Sequence, residues 1–467
     1  MECITNNIVS LFDEQALKTP EQTAMIEHKL GRACAITYKV MRKKVLDQAK
    51  LLKRRGVGKG DMVLIMQSMS SELYINLLAV LRVGGICLFA DPSISKSVFF
   101  SMIKTLRPKM VLSRFMPEIY FKSYKGSVDI IPVKLKDAAL LTFTSGTTGQ
   151  PKVIKRTHGF LHEQLSVLKE TLNVEAGERE ITTLPMFVLL NLACGVTTIL
   201  PNGSLSQPAK LNINSLIKTI IEQRATRILC SPPILENLLQ FNKDNPVVLK
   251  TIKFLHTGGG AVSLRNLKDL PEIFPQAKIK VVYGSSEAEP ISVLDLDEVS
   301  LIDLNKSGHG AGVLVGTPVN GITLSIDPLD NPISTNNMGE IIVSGKHVLG
   351  GICKTGDIGY IDEYGRIWLV GRKSKTICDT TNSLSLETAC AYIEGVARAA
   401  CFKVGDKSYL YVKLMPGIKE VPDSVYAFAQ MHNIDELRVR SDIPLDRRHN
   451  SKVLYKALIP SDWRRTG

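Results

Sequence analysis

The sequence contains no Cys-x-x-Cys pair, and its nine cysteines stand far apart along the chain. Closely spaced cysteines are typical of structural zinc sites, and dense cysteine patterns are typical of small secreted domains held by disulfides. A chain of 467 residues with scattered thiols fits neither class. The cysteine usage therefore predicts a cytoplasmic protein without a zinc site or a disulfide framework.

Signals for secretion, nucleic-acid binding and disorder are also missing. The N-terminus lacks a basic segment followed by an apolar core and a cleavage signal. The formal net charge is +13, but the basic stretches at 53–55 and 447–448 lack the interleaved aromatic residues that stack on single-stranded nucleic acids. No repeat or low-complexity tract is present. We expect a folded, non-secreted protein without a nucleic-acid partner.

One uncharged stretch, residues 181–201, approaches the length of a membrane-spanning helix. Pro185, Asn191, Gly195 and four threonines dilute its hydrophobicity, and no cluster of positive charge marks a cytoplasmic flank. We predict a buried core segment and no stable membrane span.

The distribution of apolar runs predicts an α/β fold. Strand-like runs at 62–66, 86–90 and 109–113 alternate with helical patterns, and further runs at 138–146, 226–231, 251–259 and 278–284 end in small or polar residues. This rhythm predicts parallel sheets, whose ligands bind beyond the carboxyl ends of the strands. Short β-like runs after residue 308 predict a β-rich subdomain, and the last 95 or so residues predict a compact α+β unit.

The strongest chemical signal is a loop of hydroxyl groups, glycines and one lysine directly after an apolar strand. Glycines let backbone N–H groups approach an anion, hydroxyls donate further hydrogen bonds, and a lysine neutralises phosphate charge. The spacing differs from that of a Walker P-loop. The candidate phosphate-binding residues are Thr144, Ser145, Gly146, Thr147, Thr148, Gly149 and Lys152.

This loop closely resembles the phosphate loop of the adenylate-forming, or AMP-binding, superfamily of acyl-CoA synthetases, luciferases and peptide-synthetase adenylation domains. Four further motifs follow in the order of that family, so the resemblance covers nearly the whole chain. They are Gly258-Gly259-Gly260, Tyr283-Gly284-Ser285-Ser286-Glu287, Thr355-Gly356-Asp357 and Gly371-Arg372. The resemblance implies an ATP-dependent ligase that forms an acyl-adenylate from a small-molecule carboxylic acid. It also implies a large N-terminal domain of stacked α/β subdomains and a β-rich subdomain over residues 1–371. A small mobile C-terminal α+β domain is implied over residues 372–467.

The resemblance also implies a role for each motif in binding ATP. Tyr283 is expected to stack on adenine, and Asp357 and Arg372 are expected to contact the ribose hydroxyls. Ser286 is expected at the α-phosphate, and Glu287 is expected to hold Mg²⁺, which prefers oxygen ligands. For Asp357 and Arg372 the alternative interpretation is a surface salt bridge.

The catalytic lysine implied by the resemblance is Lys452, in the segment 444–452. An ammonium group near the acyl carboxylate and the α-phosphate would stabilise the charge that develops during adenylation. Lys456 lies four residues further on and is the competing candidate. The segment departs from the common family pattern, in which a glycine precedes the lysine and the proline lies closer.

That ending, together with Tyr-Gly-x-Ser-Glu-Ala-x-Pro at 283–290 and the uncharged stretch at 185–201, resembles the β-lactone synthetases of bacterial olefin biosynthesis. In that branch a β-hydroxy fatty acid is adenylated, and its own hydroxyl displaces AMP without CoA. After Gly371-Arg372 the chain lacks the glycine and the Arg-Ile-Glu sequence of acyl-CoA synthetases, and Ser374 takes the place of their charged hinge residue. These departures disfavour CoA as the acyl acceptor, and a carrier protein is the other candidate acceptor.

Several alternatives remain open at the level of sequence. The apolar residues of the uncharged stretch fit a fatty-chain tunnel and plain core equally well; they are Phe187, Leu189, Leu190, Leu192 and Val196. The enzyme is either a lactone-forming or acyl-transferring ligase or a conventional fatty acyl-CoA ligase. A nucleotide-binding regulator without catalysis is the alternative from another class.

Overall fold

The computed structural model describes residues 6–29, 31–90, 96–113, 128–144, 152–203, 210–329, 338–373, 378–446 and 452–459. The chain divides into two compact units. The first comprises residues 1–206 and 210–230, and the second comprises residues 207–209 and 231–467. The predicted domain boundary between residues 371 and 372 lies inside the second unit and stays a prediction.

The first unit alternates helices and strands along its length. Its elements are α1 (Val9–Lys18), β1 (Thr23–Lys29), β2 (Arg32–Thr37), α2 (Tyr38–Arg54), β3 (Met62–Met66), α3 (Ser71–Arg82), β4 (Ile86–Ala90), α4 (Lys96–Leu106), β5 (Met110–Ser113), β6 (Ala138–Thr144), β7 (Lys152–Thr157), α5 (His158–Thr171), β8 (Arg179–Thr182), α6 (Pro185–Cys194), β9 (Thr197–Ile199), α7 (Ile213–Glu222) and β10 (Arg227–Cys230). Helices α2, α3 and α5 begin after Thr37, Ser70 and Thr157, whose hydroxyl oxygens accept a backbone N–H of the first turn.

Two strand sets organise this unit. One sheet has the order β5-β3-β4-β6-β7, and its neighbours are parallel except for the antiparallel pair β6–β7. Strands β10, β8, β9, β1 and β2 follow one another in a second set, in which only β1–β2 is antiparallel. Central residues such as Val63, Leu64 and Leu88 are buried, as expected for strands covered on both faces.

The uncharged stretch at 181–201 is split among β8, α6 and β9 and forms core, as predicted. Pro185 occupies the first turn of α6, where its missing N–H costs nothing, and Gly195 ends the helix in a left-handed conformation with φ 76°. Phe187, Leu190 and Val196 are buried. No helix within the described ranges is long and apolar enough to cross a membrane.

The second unit begins with α/β elements and continues with antiparallel strands. Its elements are α8 (Pro232–Asp244), β11 (Phe254–Gly258), α9 (Leu264–Leu267), α10 (Leu270–Ile273), β12 (Lys278–Ser285), β13 (Ala288–Asp295), α11 (Leu301–Gly308), β14 (Val313–Pro318), β15 (Thr323–Pro328), β16 (Gly339–Ser344), β17 (Ile352–Ile361), β18 (Ile367–Arg372), β19 (Cys378–Asp379), α12 (Ser383–Ala391), β20 (Val396–Val404), β21 (Lys407–Leu414), α13 (Asp423–Met431), β22 (Glu436–Val439) and α14 (Tyr455–Leu458).

Two strand sets also organise the second unit. Strands β15, β16, β17, β18, β14, β13, β12 and β11 are neighbours in that order, and only β11–β12 is a parallel pair. The other sheet has the order β19-β20-β21-β22. The mixed α/β class, the β-rich stretch after residue 308 and the α+β character of the C-terminal part are confirmed. Thr355-Gly356-Asp357, which in isolation suggests a turn, lies within strand β17.

Candidate active site

Tyr283, Asp357 and Arg372 come from separate motifs of the sequence and form one cluster in the second unit. The Tyr283 hydroxyl donates a hydrogen bond to Asp357 Oδ2 at 2.7 Å, and Arg372 Nε lies 3.6 Å from Asp357 Oδ1. Asp357 and Arg372 face each other across the antiparallel β17–β18 pair, so strand register sets their contact. The carboxylate of Asp357 therefore lies between a phenol and a guanidinium.

The Thr-Gly-Asp motif holds this carboxylate through its own backbone. The Thr355 hydroxyl donates to the Ile341 carbonyl at 2.8 Å and accepts the Asp357 N–H at 3.0 Å. Gly356 has φ +75°, a left-handed conformation that favours glycine. Its carbonyl accepts the Lys373 N–H at 2.8 Å. Each residue of the motif thus has a local structural reason for its identity.

The Tyr283 ring is partly buried and packs against an apolar cluster that includes Ala288, Val315 and Ile341. Burial, followed by the Asp357 carboxylate, raises the pKa of the Tyr283 phenol well above its ordinary value. The hydroxyl is therefore protonated at neutral pH and acts as a donor to Asp357. This hydrogen bond and the packing fix the orientation of the ring.

The residues that follow Tyr283 form the tight connection between β12 and β13. Ser285 pairs with Ala288, and the Ser285 hydroxyl accepts the Glu287 N–H at 3.3 Å. The Glu287 carbonyl accepts the Leu349 N–H at 2.8 Å. Ser286 and Glu287 are partly buried. Backbone contacts thus hold this connection on both sides of Ser286.

The chemistry of Glu287 fits a magnesium site of one particular kind. A carboxylate oxygen is a ligand that Mg²⁺ prefers, and Mg²⁺ usually keeps waters and substrate phosphate oxygens beside one or two carboxylates. Among the residues that the structure describes, no group of three or more His, Cys, Asp or Glu side chains could hold a metal. A single carboxylate such as that of Glu287 is chemically able to hold a magnesium ion whose other ligands are phosphates and waters.

The glycine motif lies at the same sheet edge as the end of β12. Strands β11 and β12 are parallel, and Gly258 pairs with Val282, one residue before Tyr283. A Cβ at Gly258 would collide with the Val282 carbonyl oxygen, so only glycine fits there. Gly259 follows with φ +83°. The two motifs are therefore neighbours at the carboxyl ends of adjacent strands, where open α/β sheets bind ligands.

The predicted phosphate loop is only partly within the described residues. Thr144 ends β6 and Lys152 begins β7, and the two are register partners in the antiparallel pair. The side chains of both, and the loop positions between them, lie outside the described residues. The loop positions predicted to bind phosphate are Ser145, Gly146, Thr147, Thr148 and Gly149.

Lys452 lies in a short antiparallel pairing of residues 444–446 with residues 452–454, which we call the Lys452 hairpin. Its N–H donates to Asp446 Oδ1 at 2.8 Å, and the Asp446 N–H donates to the Lys452 carbonyl at 2.9 Å. Leu445 and Val453 form the next antiparallel bridge. The Lys452 side chain is exposed, as is that of the competing candidate Lys456 in α14. Ser374, the predicted hinge residue, lies outside the described residues.

Sequence reasoning did not identify two acidic groups of the second unit, the partly buried Glu387 and the buried Asp303. Glu387 on α12 accepts hydrogen bonds from the Cys401 N–H and the Tyr455 hydroxyl, both at 2.8 Å. It carries the single formal charge in residues 382–393, and a lone charge in a run of small and apolar residues signals burial. Asp303 binds Arg366, which is 63 residues away in the sequence, and no local sequence pattern predicts that pair.

Comparison with known proteins agrees with these motifs and this fold. The family model described as AMP-binding enzyme matches residues 12–353. The olefin β-lactone synthetase of Stenotrophomonas maltophilia (strain K279a) is 22% identical, with 96% of each chain covered. Two solved structures share the fold, at 18% and 19% sequence identity. They are ATP-bound MatB from Rhodopseudomonas palustris (TM-score 0.78; 97% of this chain and 98% of that chain) and the Bacillus subtilis o-succinylbenzoate CoA synthetase in complex with ATP and magnesium (TM-score 0.76; 96% and 98%).

The family match extends over well more than half of the chain and includes the phosphate loop, the glycine motif and the Tyr283–Glu287 segment. The relatives match 96–97% of the chain. The chain therefore belongs to the family of AMP-binding enzymes, the adenylate-forming superfamily.

Proposed function

We propose that this protein is an ATP-dependent acid ligase that joins a carboxylic acid to AMP and releases pyrophosphate. The observation that carries the proposal is the cluster of Tyr283, Asp357 and Arg372, which brings three separate motifs together. A carboxylate accepts hydrogen bonds from ribose hydroxyls, a guanidinium donates them, and an oriented aromatic ring offers a face to adenine. The glycine motif Gly258-Gly259-Gly260, at the neighbouring strand end, would border the nucleotide.

The phosphates would be bound by residues of both the loop and the β12–β13 connection. Backbone and hydroxyl donors of Thr144–Gly149, with Lys152, would hold the distal phosphates, and Ser286 would donate to the α-phosphate. Glu287 would hold Mg²⁺, which neutralises phosphate charge when it is bound. These residues reduce the repulsion between the anionic nucleotide and the anionic acid, so that the two can approach each other.

Lys452 is the proposed catalytic residue of the adenylation step. An oxygen of the substrate carboxylate forms a bond to the α-phosphorus, and the bond to the pyrophosphate oxygen breaks. Negative charge grows on the equatorial oxygens as the phosphorus becomes pentacoordinate. An ammonium group that contacts these oxygens and the carboxylate stabilises the transition state more than the ground state, which raises the rate.

The proposed substrate is a β-hydroxy fatty acid, and the proposed second step is formation of a β-lactone. The β-hydroxyl oxygen attacks the acyl carbonyl, its proton is lost to solvent, and AMP leaves. Similarity to an olefin β-lactone synthetase over 96% of each chain supports this choice. The absence of Arg-Ile-Glu after Arg372 supports it as well. The alternative is transfer of the acyl group to CoA or to a carrier protein, as in a fatty acyl-CoA ligase.

The decisive experiment measures pyrophosphate release from ATP and Mg²⁺ over a panel of fatty acids and their β-hydroxy derivatives, each with and without CoA. We expect release with β-hydroxy acids such as β-hydroxypalmitate, and a β-lactone identified by mass in the absence of CoA. Acyl-CoA as the product would replace the lactone step by a ligase reaction. If the protein binds ATP but releases no pyrophosphate with any acid, the result contradicts an enzymatic function and favours a nucleotide-binding regulator.

A further inference from the structure

Hydrogen bonds between residues 444–446 and 452–454 close the hairpin that carries Lys452. Asp446 exchanges two hydrogen bonds with Lys452, and the Leu454 N–H donates to the Pro444 carbonyl at 2.8 Å. Lys452 itself is exposed. Two strands alone are marginally stable in water, so this hairpin depends on contacts outside itself, and the partly buried side chains of Leu445 and Val453 pack against the buried cluster that contains Phe402. The chain immediately after the hairpin supplies such contacts.

Tyr455 begins α14, three residues after Lys452, and ties this chain segment to helix α12. Its hydroxyl donates to Glu387 Oε1 at 2.8 Å and lies 3.2 Å from the Ser383 hydroxyl. Its ring packs edge-on against the buried ring of Phe402, with ring centroids 6.1 Å apart. A side chain held at both its ring and its hydroxyl has one orientation, and so does the backbone that carries it.

Glu387 connects Tyr455 to a second element. The same oxygen, Oε1, accepts the Cys401 N–H of β20 at 2.8 Å. Strand β20 lies at the centre of the C-terminal sheet, with β19 and β21 as neighbours. The Glu387 carboxyl group thus joins α12, β20 and the segment after Lys452.

We infer that Glu387 and Tyr455 form a positioning pair, which sets the backbone of the Lys452 hairpin so that the lysine reaches the reacting carboxylate and α-phosphate. The inference rests on the proposed function for its catalytic part. Neither residue touches the substrates in this scheme. The pair acts through Lys452, and displacement of a catalytic group by about 1 Å can cost about a hundredfold in rate.

The first test measures, in the absence of substrates, how strongly the hairpin protects its backbone from hydrogen exchange. Amide hydrogen exchange of the intact protein follows the Lys452 N–H, which binds Asp446, and the central amides of β20 and β21. In Tyr455→Phe we expect exchange at Lys452 to rise severalfold while the amides of β20 and β21 keep their protection. Unchanged exchange at Lys452 would overturn the inference, whatever the protein catalyses.

The second test measures adenylation by ATP–pyrophosphate exchange with β-hydroxypalmitate. Tyr455→Phe and Glu387→Ala are expected to lower kcat by about ten- to a hundredfold with an unchanged KM for ATP. Glu387→Gln keeps an acceptor oxygen and should stay within about threefold of the wild type. Two matched controls should retain wild-type rates. Tyr411→Phe removes a hydroxyl of β21 in the core cluster against which Tyr455 packs, and Glu394→Gln removes an exposed carboxylate just beyond α12.

A double variant separates positioning from general loss of structure. If the pair acts through Lys452, then Tyr455→Phe causes no further loss in a Lys452→Ala background. A second loss of the same size in that background would overturn the inference. Full activity of Lys452→Ala would refute the proposed role of the lysine and the inference with it. If no acid supports exchange, the proposed function fails, and hydrogen exchange alone decides whether the pair holds the hairpin.

Discussion

The Arg366 guanidinium donates two hydrogen bonds to the Asp303 carboxylate, at 2.7 and 3.0 Å. The Arg366 and Asp303 side chains are 10% and 3% exposed, respectively. Arg366 also binds Asp362 at 2.9 Å, and Asp362 accepts the Trp368 indole N–H at 3.0 Å. This ion-pair network lies at the start of β18, the strand that ends in Arg372. It therefore supports the hairpin that brings Asp357 and Arg372 together.

Replacement of Asp303 should destabilise the protein strongly. Asp303→Ala leaves Arg366 without one of its two carboxylates, and loss of one partner of a buried ion pair typically costs about 3–5 kcal/mol. Asp327→Ala is the matched control, because Asp327 pairs with Lys354 at 2.9 Å on the surface and such exposed pairs contribute little to stability. Urea unfolding of both variants gives the comparison. Equal losses of unfolding free energy in the two variants would contradict the strong contribution of the buried Asp303–Arg366 pair.

The same network predicts loss of stability in acid. Burial alone would raise the pKa of Asp303, but hydrogen bonds from Arg366 and Ser300 outweigh it and lower that pKa. A carboxyl group with a lowered folded-state pKa stabilises the fold at pH values above its unfolded pKa, about 3.9. This contribution disappears as the pH falls through the lower folded value. The midpoint temperature of thermal unfolding should therefore fall more steeply below about pH 4 in the wild type than in Asp303→Asn.

Glu387 predicts the opposite dependence in a different pH range. Burial raises the pKa of its carboxyl group to about 8. Between the unfolded pKa, about 4.3, and about 8 the folded state holds a proton that the unfolded state has lost, so stability falls as the pH rises, by at most about 1.4 kcal/mol per pH unit. Glu387→Gln cannot lose that proton and should gain stability relative to the wild type across this window. If the difference in stability between Glu387→Gln and the wild type stays constant from pH 5 to about 9, the result contradicts the burial of this group.

Asp357→Asn tests the nucleotide site directly. Loss of the carboxylate charge removes the strong acceptor proposed for the ribose hydroxyls, and a hydrogen bond to a charged group contributes about 1.5–3 kcal/mol. We expect the Kd for ATP, measured by calorimetry, to rise about ten- to a hundredfold. Tyr283→Phe keeps the ring and should weaken binding less than Tyr283→Ala. If Asp357→Asn binds ATP as the wild type does, the carboxylate serves only its ion pair with Arg372.

Lys452→Ala separates catalysis from binding. Because the proposed contact strengthens in the transition state, we expect adenylation to fall at least about a hundredfold with little change in the Kd for ATP. Lys456→Ala is the control in the neighbouring helix and should retain activity. The reverse result would transfer the catalytic role to Lys456.

The sequence predicted those parts of the fold that depend on local patterns. Apolar runs such as 62–66 and 86–90 are strands, and Pro185 and Gly195 bound helix α6 inside the uncharged stretch. Long-range contacts could not be predicted in this way. Neither the Tyr283–Asp357 hydrogen bond nor the Glu387–Tyr455 pair follows from spacing, because pairing of strands and helices brings these residues together over 74 and 68 positions.

Arg372 has a second set of contacts besides Asp357. Its N–H donates to the Thr380 carbonyl at 3.0 Å, and the Thr380 hydroxyl donates to its carbonyl at 2.9 Å. Thr380 lies just before α12, the helix that carries Glu387. One residue thus shares its side chain with the proposed ribose site and its backbone with the C-terminal part. A nucleotide bound by the Arg372 guanidinium would therefore contact a residue whose backbone is hydrogen-bonded to the segment just before α12. Occupation of the proposed ribose site would then bear directly on the position of the region that carries Lys452.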